Sequence, residues 1–346
     1  MNRRKFLKYI GLGSLGGAMV AKSVFAGPMR DHTTSSSSIN VKDFGAVGDG
    51  VTDDTPAIQA AIDSKKGPVY IPPGDFVISQ IELPNGMVLF GASSGSPPHF
   101  GTELRQKPGT NLSLIVPKSN IPKKEWWHWV SIKNIHMRGD PDATAGCGIE
   151  ATRSTGENFR IENVLMVDFA ESGFRMTRGS TPGSIENCAA FGNGKYGFDL
   201  QRKGHDLWNS FTVNRISGDD NGIALVRVKA MGAAPDQVTI SNVKSETHVA
   251  GTQQDVIVLD SIYGSLVSVK NVSVIAHVPM NSVVKITNAV ARVIVENFRG
   301  ESKLAHWIDD TNAGATKLPR LGGLTAALVS GYWDSKGVGQ TKVITN

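Results

Sequence analysis

The sequence predicts an all-β chain, a single-stranded parallel β-helix with an N-terminal capping helix, and three observations carry that prediction. Segments built around an asparagine recur as "SIKNI", "RIENV", "SIENC", "TVNRI", "TISNV", "SVKNV" and "IVENF", with Asn134, Asn163, Asn187, Asn214, Asn242, Asn271 and Asn297 at steps of 29, 24, 27, 28, 29 and 26. A second series, "GIEATR", "GFRMTR", "GFDLQR" and "GIALVR", runs in step with it from Gly148, Gly173, Gly197 and Gly222. Both series sit in short stretches of period-two alternation, with no room for a helix of useful length between them. Such a repeat is the signature of a solenoid. Coils stacked ~4.8 Å apart merge inward residues such as Phe174, Met176, Phe198, Leu200, Ile223 and Leu225 into one core. The competing reading, a two-sheet sandwich, needs tight hairpin signals that hardly appear here.

Residues 1–26 have a basic start, a glycine-rich apolar middle and a small residue at Ala26, the layout of an export signal. The middle is too short to span a bilayer stably, so no lasting membrane insertion is expected. The run "RRKFLK" resembles the twin-arginine signal, with Asn2 where that signal usually has Ser or Thr. That resemblance implies the twin-arginine export machinery as partner of the precursor, cleavage after Ala26, and a periplasmic or secreted product. Cleavage removes five basic residues and no acid, leaving 31 of each sign. The sequence pI of about 9.1 therefore reports the signal and not a nucleic-acid partner. Residues 27–39, rich in Ser and Thr, read as a flexible linker. Cys147 and Cys188 are too few for a disulfide framework and read as buried thiols.

The folded domain is expected over 40–346, with an N-terminal cap at about 40–110, coils at about 111–310 and a C-terminal cap at about 311–346. Residues 41–63, "VKDFGAVGDGVTDDTPAIQAAID", read as a strand, a glycine turn and a helix. Asp53 or Thr55 caps that helix, Pro56 lies in its first turn, and Ile58, Ala61 and Ile62 share one face. Such a helix covers the open end of a coil stack. Together with "GPVYIPPGDFVIS" at 67–79, this stretch resembles the opening of the pectate-lyase-like superfamily, which includes polygalacturonase-related enzymes and tailspikes. The resemblance implies a right-handed β-helix that handles polysaccharide. It is specific over about 40–110 and architectural from there to about 310.

If the four glycines form one column, the position two before them reads Gly146, Glu171, Lys195 and Asp220. This stacks Asp220 over Lys195 and Glu171 on a turn, which brings two carboxyl groups toward the ~6.5–9.5 Å separation of inverting glycoside hydrolysis. Asp219 beside Asp220 offers a second acid pair, in which repulsion raises one pKa. "GDD" at 218–220 is similar to a polygalacturonase segment, but the Gly-His-Gly and Arg-Ile-Lys segments of that branch are missing downstream. His248 is the substitute candidate. Two residues after the glycine, Glu150, Arg175, Asp199 and Ala224 read as a charge-alternating, solvent-facing ladder.

Arg153, Arg178, Arg202 and Arg227 end the four glycine segments, and a stack of cations fits a uronate polymer. In a lyase of this fold, Lys195, Tyr196, Arg202 or Lys203 is the candidate base. "EWWHWV" at 125–130 places Trp127 and Trp129 on one face, as a sugar platform or an aromatic plug. Trp208 is a second platform candidate. No carboxylate cluster has the pattern of a calcium site, and no cofactor or metal is expected.

The first functional expectation is therefore an exported glycoside hydrolase on an acidic polysaccharide, with Asp220, Glu171, Asp219, Lys195 and His248 as catalytic candidates. Tyr196, Arg178, Arg202, Arg227, Trp208 and Trp127 are the substrate-binding candidates. A polysaccharide lyase and a non-catalytic carbohydrate-binding β-helix are the alternatives.

Overall fold

The computed structural model describes residues 38–95, 101–120, 127–152, 158–178, 182–203, 210–231, 237–260, 263–287, 290–300, 303–310, 325–333 and 339–345. The export signal, most of the linker, Arg153, Trp208 and much of the expected C-terminal cap lie outside them. The chain winds as a right-handed parallel β-helix of about eight turns. Two parallel sheets run its length. The shorter one contains Ser172–Met176, Tyr196–Lys203, Ala224–Met231, Asp255–Asp260, Met280–Thr287 and Leu304–Asp310 in that order. The longer contains Ser131–Arg138, Phe159–Val167, Phe211–Asp219, Gln237–Thr247, Tyr263–Ala276 and Val290–Gly300. Thr325–Trp333 joins that sheet antiparallel, and Gly339–Thr345 pairs antiparallel with it.

The helix Thr55–Asp63 buries Ile58, Ala61 and Ile62 in the main apolar cluster. Its start differs from expectation. Asp53 Oδ1 accepts from the amide and hydroxyl of Thr55, but the N-cap position is Asp54. The Asp54 carboxylate turns back to accept from the amides of Val47 and Gly48, pinning the glycine turn. Neither aspartate is spare for chemistry.

The core is one cluster, and Phe174, Met176, Phe198, Leu200 and Leu225 lie in it as expected. Ile223 does not: it is 43% exposed. Register explains why. Phe174 pairs with Phe198, which pairs with Val226, so Gly197 stacks under Leu225 and not under Gly222. Gly222 falls instead over Gly194, where an added Cβ would lie 2.0 Å from the Gly194 carbonyl oxygen. The fourth glycine segment is thus displaced by three residues, because its glycine serves a turn and not a strand.

Those turns connect the two sheets through four residues each, at 168–171, 192–195 and 220–223. Inside them runs a buried amide ladder. The Phe169 amide donates to Asn193 Oδ1 (3.1 Å), Asn193 Nδ2 to Asn221 Oδ1 (2.9 Å), and Asn221 Nδ2 to Gln253 Oε1 (2.8 Å). Gln253 Nε2 ends it on Ser245 Oγ at 2.8 Å. Each side chain satisfies the next, as buried polar groups require.

The asparagines read from the sequence form a second ladder on the outside. Asn134, Asn163, Asn187, Arg215, Asn242, Asn271 and Asn297 occupy one column, all left-handed with φ between 53° and 59°. Asparagine tolerates that conformation better than most residues. Asn214 is one position out of the column because Arg215 takes the left-handed slot, yet its Oδ1 still accepts from Asn242 Nδ2 at 2.8 Å.

Candidate functional site

The outward face of the shorter sheet carries a column of paired charges. Strand pairing stacks Glu150, Arg175, Asp199 and Arg227 in one column. The expected alternation of sign is present, with Arg227 in place of Ala224. Asp199 is fully buried at its side chain and receives Arg227 through Nε and Nη2, both at 2.8 Å. Arg175 Nε lies 3.5 Å from the same carboxylate and Arg175 Nη1 lies 3.6 Å from Glu150. Two carboxylates and two guanidiniums thereby cancel along the stack.

This register corrects the arginine column. Arg202 pairs with Ala230, and Arg227 stands three residues earlier, neutralised by Asp199. Arg178 is exposed two residues past the end of Ser172–Met176. The side chain of Arg202 lies outside the described residues.

Tyr196 sits where this ladder meets the turn. Its hydroxyl accepts from Arg227 Nη1 at 3.1 Å, and the guanidinium lies 4.2 Å from its ring centroid. Burial pushes the phenol pKa up and the Arg227 charge opposes, with burial prevailing. The phenol is thus a proton donor at neutral pH. One residue earlier, Lys195 Nζ is half exposed and bonds Glu171 Oε1 at 2.6 Å, while Arg175 Nη1 bonds Glu171 Oε2 at 2.5 Å. The Arg175 hydrogen bond, more than the Lys195 one, holds Glu171 at about 2. Glu171 is a permanent carboxylate and supplies no proton.

Asp220 is not above Lys195 and Glu171. Phe191 pairs with Asp219, which puts Asp220 over Gly192 and Asp168, while Lys195 lies under Ile223. The reason is the same three-residue displacement of the fourth segment. Asp220 Oδ1 instead accepts from the amides of His248 (2.8 Å) and Val249 (3.0 Å) and from Thr252 Oγ1 (3.2 Å). Burial pushes its pKa up, but those amides outweigh burial and lower it. Asp219 goes the other way, raised by burial and then by Glu246, its neighbour one coil on. Repulsion between the two sequence-adjacent aspartates is not the cause.

His248 opens the seven-residue segment 248–254, which replaces the four-residue turn of earlier coils. It faces residues that the sequence reading missed. His248 Nε2 is 3.3 Å and His277 Nε2 is 2.9 Å from Glu246 Oε1, and the two imidazoles stack 4.5 Å apart. The signal was present: Glu246 and His277 follow Asp219 and His248 by 27 and 29 residues, each one coil.

Trp127 offers no sugar platform. It is fully buried, donates Nε1–H to the Leu83 carbonyl at 2.9 Å, and packs on Phe159 with ring centroids 5.2 Å apart. Trp129 is 53% exposed, so alternation fails there, where Trp129 itself has a φ of 59°. Cys147 and Cys188 are buried free thiols, pushed up to about 12 by burial.

Among known proteins, the chain is 30% identical over 212 residues to the mannuronan C5-epimerase AlgE6 of Azotobacter vinelandii, covering 49% of this chain and 23% of that protein. It is 31% identical over 180 residues to alginate lyase 7 of the same organism, covering 46% and 20%. The chain thus spans about a fifth to a quarter of the length of these relatives. In fold it matches the Geobacillus virus E2 protein ORF18, with a TM-score of 0.54 at 14% identity over 89% of this chain and 76% of that one. Residues 38–252, which hold the cap, the charge ladder and Asp220, match the family described as rhamnogalacturonase A/epimerase, pectate lyase-like, and the chain belongs to that family.

Proposed function

We propose that this protein acts on a uronate-containing polysaccharide by transferring the proton at C5 of the uronate, as an epimerase or a lyase. The observation that carries this reading is Tyr196, a protonated phenol held by Arg227, next to the half-exposed cation of Lys195. A C5 proton lies α to the uronate carboxyl group. A cation paired with that carboxylate stabilises the anion left when the proton departs. Lys195 is the pairing group. Solvent-borne base takes the C5 proton, and Tyr196 donates one in return, to the opposite face of C5 in epimerisation or to the O4 leaving group in elimination, before solvent reprotonates it. Glu171 and Asp199 hold the cations in place and take no part in proton transfer.

The relatives support a uronate polymer as substrate, since one is a mannuronan C5-epimerase and another an alginate lyase. Hydrolysis drew on a carboxyl pair, Glu171 with Asp220, and the register that parts them supports the C5 reading instead.

The test is to incubate the protein with polymannuronate and other polyuronates in deuterated water. Three signals are followed: deuterium at C5, absorbance of unsaturated uronates, and new reducing ends. Exchange without chain cleavage marks an epimerase, and unsaturated ends mark a lyase. Tyr196→Phe keeps the ring on Arg227, removes the hydroxyl that accepts from Arg227 Nη1, and should lower turnover by about 10²–10⁴-fold in a chain that stays folded. Reducing ends with neither exchange nor unsaturation, or full activity in Tyr196→Phe, overturns the proposal.

A further inference from the structure

Glu246, His248 and His277 stand apart from the charge ladder, on the other sheet and the long turn that follows it, and the proposed chemistry does not use them. Glu246 is in Gln237–Thr247, His248 opens the turn, and His277 follows Tyr263–Ala276 on the next coil. One donor atom from each lies within 4.8 Å of the other two. Both imidazoles aim Nε2 at the same carboxylate oxygen, at 3.3 and 2.9 Å. The 3.3 Å separation is that of neighbouring ligands around one tetrahedral cation, whose bonds of about 2.0–2.2 Å put adjacent donors roughly 3.3–3.6 Å apart, and the 2.9 Å contact has to open by only a few tenths of an ångström.

The surroundings are those of a ligand set. The rings stack 4.5 Å apart at 16°, close to one strand spacing, so the coil repeat itself presents two parallel imidazoles. Asp220 Oδ2 lies 3.5 Å from His248 Nδ1, the far nitrogen of that ring. A carboxylate there orients a metal-binding histidine and fixes which nitrogen faces the ion. Asp220 is itself fixed by the amides of His248 and Val249 and the Thr252 hydroxyl. Lys244 Nζ takes the other oxygen of Glu246, Oε2, at 3.4 Å, leaving Oε1 to the histidines. Lys303 Nζ donates to the His277 carbonyl and not to its ring.

We propose that Glu246, His248 and His277 bind a divalent transition-metal cation of the zinc type, with Asp220 as the carboxylate that positions His248. Two imidazoles and one carboxylate select zinc over calcium, which takes oxygen ligands. The bound ion ties the coil of Glu246 to the coil of His277, and through Asp220 to the coil before.

The experiment titrates zinc chloride into the untagged full chain after chelator dialysis, by calorimetry, and repeats the titration with cobalt(II) to read its visible absorption. One equivalent is expected, with a metal-dependent rise in melting temperature. His277→Ala and His248→Ala should abolish it, and Glu246→Gln, which keeps size and hydrogen bonding, should do so too. Asp220→Asn should weaken binding by about 10–100-fold. His128→Ala, elsewhere on the chain, should leave it unchanged. No binding by the folded wild-type chain overturns the proposal. So does one-equivalent binding that survives in folded His277→Ala and Glu246→Gln.

Discussion

Three acidic residues show how far a side chain's role depends on its partners. Glu171, near 2, is ionised through its hydrogen bond from Arg175 and its contact with Lys195. A carboxyl group whose folded pKa lies below its ordinary value adds stability above that ordinary value, 4.5 here, and loses it as pH falls toward 2. Urea midpoints measured from pH 6 to pH 2.5 should therefore fall in the acid range, and Glu171→Gln should flatten that fall while lowering the midpoint at pH 6. Asp219 has the opposite sign. Its raised pKa means that its ionisation works against folding as pH rises past the ordinary aspartate value. Asp219→Asn, whose Oδ1 still accepts the Glu246 amide, should be neutral or stabilising at pH 7 by the same measurement. Asp219 and Asp220 are adjacent in sequence, yet one packs beside a like charge and the other meets three hydrogen-bond donors. Only the neighbouring coil distinguishes them.

The element that organises the site is the four-residue turn between the sheets. Its buried ladder, Phe169, Asn193, Asn221 and Gln253, escaped sequence analysis because the steps are 24, 28 and 32 residues and the residue types differ. The exposed asparagine ladder, more regular and of one type except at Arg215, was legible. The two ladders differ in energetic weight. Asn221 accepts from Asn193 and donates to Gln253 and the Ala190 carbonyl, all buried. Asn221→Ala leaves several of these groups unpaired, at about 1–3 kcal/mol each. A loss of about 3–5 kcal/mol in urea unfolding is expected. Asn163→Ala, exposed, removes two solvent-competed bonds, the one it donates to Asn134 and the one it accepts from Ser94 Oγ, and should cost under about 2 kcal/mol.

At the scale of the molecule, each coil is stabilised by its neighbours, so an interior truncation is felt across the stack. Leu225 and Ile223 are two residues apart and were both expected inside. Leu225 is fully buried over Gly197, and Ile223 faces solvent. Leu225→Ala should cost about 2–5 kcal/mol. Ile223→Ala should stay within about 0.5 kcal/mol. Equal losses in the two variants, read as denaturant midpoints, would contradict the register described here.

The sequence by itself determined the solenoid and its N-terminal capping helix. Period-two alternation, a repeat of 24 to 29 residues and the glycine turn before Pro56 are local, and local patterns are what a linear chain displays. It also marked Tyr196, Lys195, Arg227, Asp220 and His248 as residues worth locating. Tertiary structure alone decided who meets whom. One glycine assigned to a turn instead of a strand moved the fourth segment by three residues. That single shift separated Asp220 from Glu171, gave Arg227 to Asp199 and Tyr196, and left Ile223 in solvent. Register between coils is set by turn length and by packing of the buried ladder, both of which are interactions between residues some 25 to 30 positions apart. No property of either segment alone encodes that pairing.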